Sequence, residues 1–445
     1  MKIPRGRYFA KTSELLNLLI NTIFSFNSST DEINLSIEAL TKKNLTNNQS
    51  FIFSPSFRIG LYYALSAIKK IYPDRKRIVT TSITIPDTIN AIRLNQLQEL
   101  FIEMDEETHG IDIQNAKECL DSDVLAIIVT HLSGSIDPEL SSLYKYCKDR
   151  NIFVIEDFSQ AYGNEHCFKF ADISIGSLST GKTASTLIGG IITTKDQYIL
   201  NEIKNEKSKN EDRNKVQKSM IIFQIIDSLK INFFCNRYIF SFATYYALRI
   251  FKILFPSSYS KLEQARTITR AINQDRFFEN SFTHREAFPS FFFFSLSKGQ
   301  LSLYMKMLKR LISGNRKRRE ILELYLNLLS EDSKKAIPKN FLTLENNTYY
   351  HIPIKTYGKR DLIQNLFFKN GVDISSYGLP LCHSYFSETN KQISERIKYD
   401  TLFIPINEFS TDDDVKKIAN VTNKIYMQLK EISVISRAPL SGNAN

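Results

Sequence analysis

Cysteine is scarce in this 445-residue chain, and its few positions suit neither cross-linking nor metal chelation. Cys119, Cys147, Cys167, Cys235 and Cys382 are odd in number, and no two form a C-x-x-C pair. That pattern excludes a disulfide framework and a structural zinc site as organising devices, and it fits a reducing compartment. Glycine and proline are sparse, at 15 and 12, which excludes collagen-like repeats and long disordered tracts. The first ten residues lack an apolar signal core followed by a cleavage site, so export is not expected. In the most apolar region the longest uncharged stretch is Tyr238 to Leu248. It falls well short of the roughly 20 apolar residues that cross a bilayer. No Cys/His finger, no recognition-motif aromatics and no long Lys/Arg tract are present, so nucleic acid is not an expected partner. There is no internal repeat.

What is present is an ordinary globular composition, 42% hydrophobic and 24% charged, in a chain long enough for two or three domains with a sizeable core. The net charge is +11. A basic surface attracts nucleic acid, anionic lipid or phosphorylated substrates without choosing among them. The short run Arg316 to Arg319 lies inside a helical pattern and reads as a solvated helix face.

Residues 1–50 form an N-terminal segment with a helix over Thr12 to Phe26, closed by a break and helix cap at Ser28 to Asp31. From 51 to 204 short apolar runs alternate with helical patterns. Strands are expected at Phe51–Phe53, Arg77–Thr80, Leu100–Glu103, Val124–Thr130, Ile152–Ile155, Ile173–Leu178 and Gly190–Thr193. The continuous apolar strands imply an α/β fold with a mainly parallel sheet covered on both faces, in which ligands bind beyond the carboxyl ends of the strands. Residues 205–290 interrupt this rhythm with a charged stretch and then a very apolar, aromatic one carrying Lys230, Arg237, Arg249 and Lys252. Such a helical insertion either packs on protein or lies in a membrane interface, with 220–256 as the contacting segment. Residues 291–435 read as a smaller C-terminal α/β domain. It opens with a helical stripe over Leu301 to Leu329, more core than ligand site, and residues 436–445 form a frayed tail.

The chemistry concentrates in two segments. Val154 to Gly163 (VIEDFSQAYG) brings an acidic pair to a strand end, and Ala171 to Lys182 (ADISIGSLSTGK) leads through a second strand into a small-residue loop, followed by Gly189-Gly190. A loop lysine, a strand-end carboxylate and a serine five residues before the lysine are the set pyridoxal phosphate needs. The amine forms an imine, the carboxylate pairs with the protonated ring nitrogen, and hydroxyl and amide donors hold the phosphate. Taken alone the set is only suggestive, because strand-end acids and loop lysines occur in many α/β proteins.

The two segments resemble the DegT-type sugar aminotransferase family, in which I-E-D-x-A-Q-A-x-G is followed by D-I-x-x-x-S-x-x-x-x-K and then G-G. Flanking stretches extend the likeness: Phe101 to Asp112, Thr130 to Gly134, and, more loosely, Gly299-Gln300, His383 and Leu402 to Pro405. It covers about 51–200 well and 290–430 loosely. The resemblance implies the type I fold of pyridoxal-phosphate-dependent transferases. It implies Lys182 as the Schiff-base lysine and proton carrier, Asp157 as partner of the ring nitrogen, Gln160 against the ring or its hydroxyl, and Ser177 at the phosphate. His131 is as readily a satisfied core histidine as a site residue, and His383 is more readily structural than a contact to substrate or partner subunit. The sequence departs from the family at the first strand–helix turn, where S-G-T is replaced by Ser56-Phe57-Arg58. There Ser56 and the Arg58 guanidinium become the candidate phosphate ligands. It departs again at Ser82 to Pro86, where no aromatic offers a ring stack and Ile85 or a residue elsewhere is the substitute, and at Thr180-Gly181.

The expectation is a pyridoxal-phosphate-dependent aminotransferase that takes an amino group from a donor such as glutamate and passes it to a nucleotide-linked or lipid-linked keto-sugar in envelope polysaccharide or glycolipid synthesis. The resemblance implies a homodimer, and the setting expected is cytoplasmic, with peripheral contact at the inner membrane face if the insertion meets lipid. The rivals are a non-enzymatic regulatory or scaffold protein and a pyridoxal-phosphate enzyme of other chemistry. Relatives that dehydrate carry His where this chain keeps Lys182, which favours amino transfer.

Overall fold

A computed structural model describes residues 1–6, 8–24, 30–44, 49–211, 218–259, 262, 284–343, 345, 347–387 and 391–435. Ser28 and Ser29 of the break placed at Ser28 to Asp31 fall outside the described residues, as do part of the insertion and all of the tail, while Thr30 opens a helix, Thr30–Asn44.

The large sheet has seven strands: β1 (Phe51–Ser54), β2 (Arg77–Thr81), β3 (Gln98–Ile102), β4 (Val124–Thr130), β5 (Phe153–Asp157), β6 (Ile173–Ser177) and β7 (Gly190–Thr194). Their order is β1-β7-β6-β5-β4-β2-β3. The pairings β2–β3, β2–β4, β4–β5 and β5–β6 are parallel, and β7 runs antiparallel to both its neighbours. The carboxyl ends of β1, β2, β4, β5 and β6 therefore meet at one edge. Every residue of β4 is buried, as a strand covered on both faces requires. One face packs Val79, Ile127, Val154 and Ile191; the other packs Ile78, Ile128, Ile155 and Ile192 against the Phe57–Lys69 helix. The period-2 alternation of β-strand side chains divides the same strands between these two cores.

A second sheet of three antiparallel strands, β8 (Ile352–Lys355), β9 (Ser375–Ser376) and β10 (Thr401–Ile404), has the order β8-β10-β9. Its core joins Ile354 and Leu402 to Leu322, Tyr325, Ile418 and Ile425 from the long helices on either side.

Two expectations are corrected. The stripe read as one helix from Leu301 to Leu329 is two helices, Lys298–Lys309 and Leu311–Leu328, parted at Arg310, whose φ of −104° leaves the helical range. Hydrophobic period cannot reveal the break, because both helices bury the same kind of stripe. Arg318, assigned to a solvated face, is 3% exposed. Its guanidinium pairs with the Glu408 carboxylate and donates to the Thr348 carbonyl at 3.1 Å. Arg316 and Lys317, beside it, are the exposed members, and Lys317 bridges outward to Glu320.

The described part of the insertion is largely helical. Lys218–Phe234 lies against the N-terminal helix Thr12–Phe24, with Ile221 and Ile225 meeting Leu15 and Leu18. Asn232 ties the Lys218–Phe234 helix to the segment just before Thr12, accepting from the Tyr8 amide at 3.1 Å and donating to the Ala10 carbonyl at 2.8 Å. No helix among the described residues is long and apolar enough to cross a membrane.

Candidate active site

Asp157 is the last residue of β5, at the edge where the parallel strands end. Its Oδ1 accepts the Ser159 amide at 2.9 Å, and its carbonyl accepts the His131 amide at 3.1 Å. Burial pushes the carboxyl up from its ordinary range; the Ser159 hydrogen bonds and the positive charges of Lys182 and His131 oppose that push.

Lys182 follows Gly181, whose φ of +89° is a left-handed value that glycine adopts without strain. A Cβ there would also lie 3.3 Å from the Tyr8 ring. Burial lowers the Lys182 ammonium to about 8, and the Asp157 carboxylate acts in the opposite direction. The pair is thus electrostatically coupled inside a desolvated site. That environment leaves a nucleophilic neutral amine accessible near neutral pH.

Ser177 ends β6 in register with Gly190 of β7, which in turn faces Ser54 of β1. Gly190 is an obligate close approach: a Cβ would lie 2.6 and 2.7 Å from the Ser56 carbonyl carbon and oxygen. Backbone packing thus sets the start of the Phe57–Lys69 helix over the strand beside Ser177. Ser56 is the N-cap, accepting from the Ile59 amide. A helix start facing a strand-end hydroxyl is a ready anion site. The Ser177 hydroxyl donates to Ser179 Oγ at 2.9 Å, its amide donates to Ser159 Oγ at 2.8 Å, and its carbonyl accepts from the Tyr162 hydroxyl.

Gln160 is fixed one turn beyond Asp157. Its Oε1 accepts the Ser133 amide at 2.8 Å, and its carbonyl accepts the Thr348 hydroxyl at 3.0 Å. Ser133 holds a φ of +59° to present that amide. Ile85 is the half-buried N-cap of the Pro86–Leu94 helix.

Arg58, the candidate phosphate ligand of the sequence, has a carboxylate partner. Its guanidinium pairs with Asp87 at 2.7 Å, and Arg285 reaches the other oxygen of the same carboxylate at 2.7 Å. Both guanidinium groups lie over the Phe292 ring, at 5.5 and 5.6 Å. The sequence offered a free arginine at a helix start; its partners come from two other segments. His131 is a satisfied core histidine, with Nε2 2.8 Å from Glu156. The other Glu156 oxygen accepts the Phe168 amide, and Cys167 stands nearby with burial pushing its thiol well up. His383 is buried at a junction of segments, with Nδ1 2.7 Å from the Ser82 hydroxyl and Nε2 3.4 Å from Glu395.

Sequence reasoning missed Tyr350 and His351. Lys182 Nζ lies 5.2 Å from the Tyr350 ring centre, and the Tyr350 hydroxyl donates to the Gly181 carbonyl at 2.9 Å. His351 stacks on Phe403 at 4.6 Å; burial, aided by the charge on Lys182, lowers it to about 3 and keeps it neutral. The only local signal is an aromatic cluster immediately ahead of β8, and nothing in it points to the lysine loop.

Residues 56–223 match the DegT/DnrJ/EryC1/StrS aminotransferase family. The chain is 28% identical over 195 residues to an uncharacterised protein of Methanocaldococcus jannaschii, a stretch covering 43% of this chain and 50% of that one. It is 28% identical over 145 residues to GDP-perosamine synthase of Escherichia coli O157:H7, covering 32% of this chain and 39% of the enzyme. The matches span half or less of these relatives. Among solved structures, Helicobacter pylori PseC, an aminotransferase involved in pseudoaminic acid biosynthesis, superposes with a TM-score of 0.66 at 17% identity, covering 96% of this chain and all (100%) of that one. The expected fold and the family resemblance of the lysine-bearing half are borne out.

Proposed function

We propose that the protein is a pyridoxal-phosphate-dependent aminotransferase whose acceptor is a keto-sugar. The observation that carries this reading is the coupled pair at the sheet edge: a Lys182 amine lowered to about 8 and the Asp157 carboxylate that acts upon it. The donor set fits the cofactor, with an amine, a strand-end carboxylate, and a helix start beside a serine hydroxyl. Lys182 would hold the group covalently, Asp157 would pair with its ring nitrogen, Gln160 would flank the ring, and Ser177 with the Ser56 turn would take the phosphate. When bound, the cofactor supplies an electron sink for negative charge on the substrate carbon. Lys182 Nζ, released as a neutral amine, is the group placed to lift the proton from that carbon and return it. Tyr350 bounds the lysine on one side and limits water there. With Arg58 and Arg285 both paired to Asp87, this reading gives the phosphate to Ser177 and backbone amides.

The resemblance further supports a homodimer with glutamate as donor, acting on a nucleotide-linked or lipid-linked sugar in surface polysaccharide or glycolipid synthesis. The unpaired cysteines support a cytoplasmic setting. Retention of lysine at position 182 favours transfer over dehydration.

The test is the visible spectrum of the full chain loaded with pyridoxal phosphate, beside Lys182→Ala, before and after glutamate. A cofactor band that the variant lacks and glutamate bleaches is the expected result. A band indifferent to glutamate and other amino donors would move the protein to other chemistry, and no band at all would leave a scaffold.

A further inference from the structure

The insertion takes no part in the chemistry above, yet it carries the most apolar exposed surface among the described residues. From Arg237 to Leu254 the chain is helical, passing through a π-type turn at Phe240–Thr244. One face is docked. Ser241 Oγ accepts the Lys2 amide at 2.9 Å, the Tyr245 ring lies 4.9 Å from that of Phe368 with its hydroxyl on the Phe368 carbonyl, and Lys252 reaches Asn365. The opposite face carries Tyr238, Phe242, Tyr246, Ile250 and Ile253 at helical spacing, with Phe242 75% and Ile253 71% exposed. The adjoining Lys218–Phe234 helix buries Ile221 and Ile225 and leaves Phe223, Ile226, Phe233 and Phe234 outward or exposed. A helix that is apolar on both faces is incomplete in water, and an exposed apolar patch of this kind marks an interaction surface.

The charges name the occupant. Residues 218–259 contain Lys218, Lys230, Arg237, Arg249 and Lys252 against Asp227 as the acid; of these, Lys252 turns to the docked face and Arg237 pairs with Asp414. Lys230 and Arg249 are themselves exposed. Two copies of this face would bring like charges together, whereas an anionic bilayer neutralises them. The mixture of aromatic and aliphatic side chains with a basic rim is the composition of an interfacial helix, and no helix among the described residues is long and apolar enough to cross.

We propose that the exposed faces of the Arg237–Leu254 and Lys218–Phe234 helices seat the protein on an anionic lipid surface, lying in the interface without spanning it. The inference goes beyond the aminotransferase reading and stands without it. The docking element is nevertheless tied to the lysine loop: Thr180 shares its hydroxyl between the Leu187 carbonyl and Gln224 Oε1, each at 3.0 Å, and Gln224 belongs to the Lys218–Phe234 helix.

Flotation of the full chain with vesicles of phosphatidylcholine alone, or phosphatidylcholine with phosphatidylglycerol, tests it. The protein is expected to float with the anionic vesicles, to be released by high salt, and to stay down with the neutral ones. Phe242→Ser combined with Tyr246→Ser and Ile250→Ser changes exposed positions only. It is expected to weaken binding roughly tenfold or more while its mass by light scattering and its thermal unfolding stay as in the wild type. Arg249→Glu with Lys230→Glu is expected to abolish the anionic preference. Failure of the wild type to float with either vesicle would overturn the proposal. So would equal flotation with both, or unchanged binding by the triple variant. A triple variant that falls apart into smaller species would reassign the face to a second copy of the chain.

Discussion

Lys182 and Tyr350 meet face-on: the ammonium lies 5.2 Å from the ring centre, while the same tyrosine's hydroxyl bonds the carbonyl of Gly181. Burial pushes that hydroxyl up to about 12, so it remains a protonated donor at working pH. Tyr350→Phe keeps the ring and loses one hydrogen bond of about 1 kcal/mol, so cofactor affinity is expected to fall about fivefold. Tyr350→Ala also loses the cation–π contact, roughly 0.5–2 kcal/mol more, and is expected to bind clearly worse than the Phe variant. Spectroscopic titration of the cofactor-free protein separates the two. Equal losses in both variants would show that the ring itself contributes nothing.

The pH dependence of cofactor attachment follows from the same lysine. Burial disfavours the charged ammonium and lowers it to about 8 from the usual 10.5, so the reactive neutral amine accumulates as pH rises through about 8. The attachment rate should climb through that value. Asp157 favours the charged form, and Asp157→Asn removes that influence, so the midpoint should move lower still. The same variant loses the partner of the ring nitrogen, and turnover should fall on the order of 100-fold. Stopped-flow attachment rates against pH, for both proteins, read the sign directly; an upward shift in the variant would refute the coupling.

The sheet and the lysine–aspartate pair were legible because their signals are local. VLAIIVT reads as a doubly covered strand on its own, and Asp157 and Lys182 sit in segments whose spacing carries the pattern. Tyr350 was not legible because its relation to Gly181 is purely tertiary, across 169 residues. Arg318 was misread, and the partner of Arg58 went unforeseen, for a shared reason. An arginine in a helical pattern is by default solvated, and only the fold supplies the carboxylates, Asp87 and Glu408, that change its role. A boundary was also missed at Arg310, where backbone geometry and not apolar period decides it.

Arg318 provides a test of what a buried ion pair is worth here. It is 3% exposed, and its partner Glu408 is largely buried. Arg318→Ala strands Glu408 and leaves the Thr348 carbonyl without its donor, so a loss of about 3–5 kcal/mol is expected. Arg318→Met with Glu408→Leu removes both charges and should be less destabilised than the single variant. Denaturant unfolding of the three proteins measures the order. A single variant at least as stable as the double would place the energetics in packing and not in the charge left behind.

Gly190 ties fold to site most directly, because its missing side chain lets the Ser56 turn sit on β7. In Gly190→Ala the new Cβ meets Ser54 Oγ at 2.5 Å and the Ser56 carbonyl group at 2.6 and 2.7 Å, and backbone cannot step aside as a side-chain tip can. A loss of about 1–3 kcal/mol is expected, together with displacement of the helix start. Gly60→Ala is the control. It lies in the same helix, and its Cβ would meet the Ser54 hydroxyl and the Ile192 side chain at 3.0–3.3 Å. Those groups can yield, and the helix propensity of alanine, worth about 1 kcal/mol, offsets part of the crowding. Thermal unfolding should therefore separate the two variants. Titration with pyridoxal phosphate should show a loss of affinity in Gly190→Ala beyond that in Gly60→Ala. If Gly190→Ala lost stability but bound the cofactor as tightly as Gly60→Ala, the Ser56 turn would be a packing feature, and the phosphate would rest on Ser177 and its own loop.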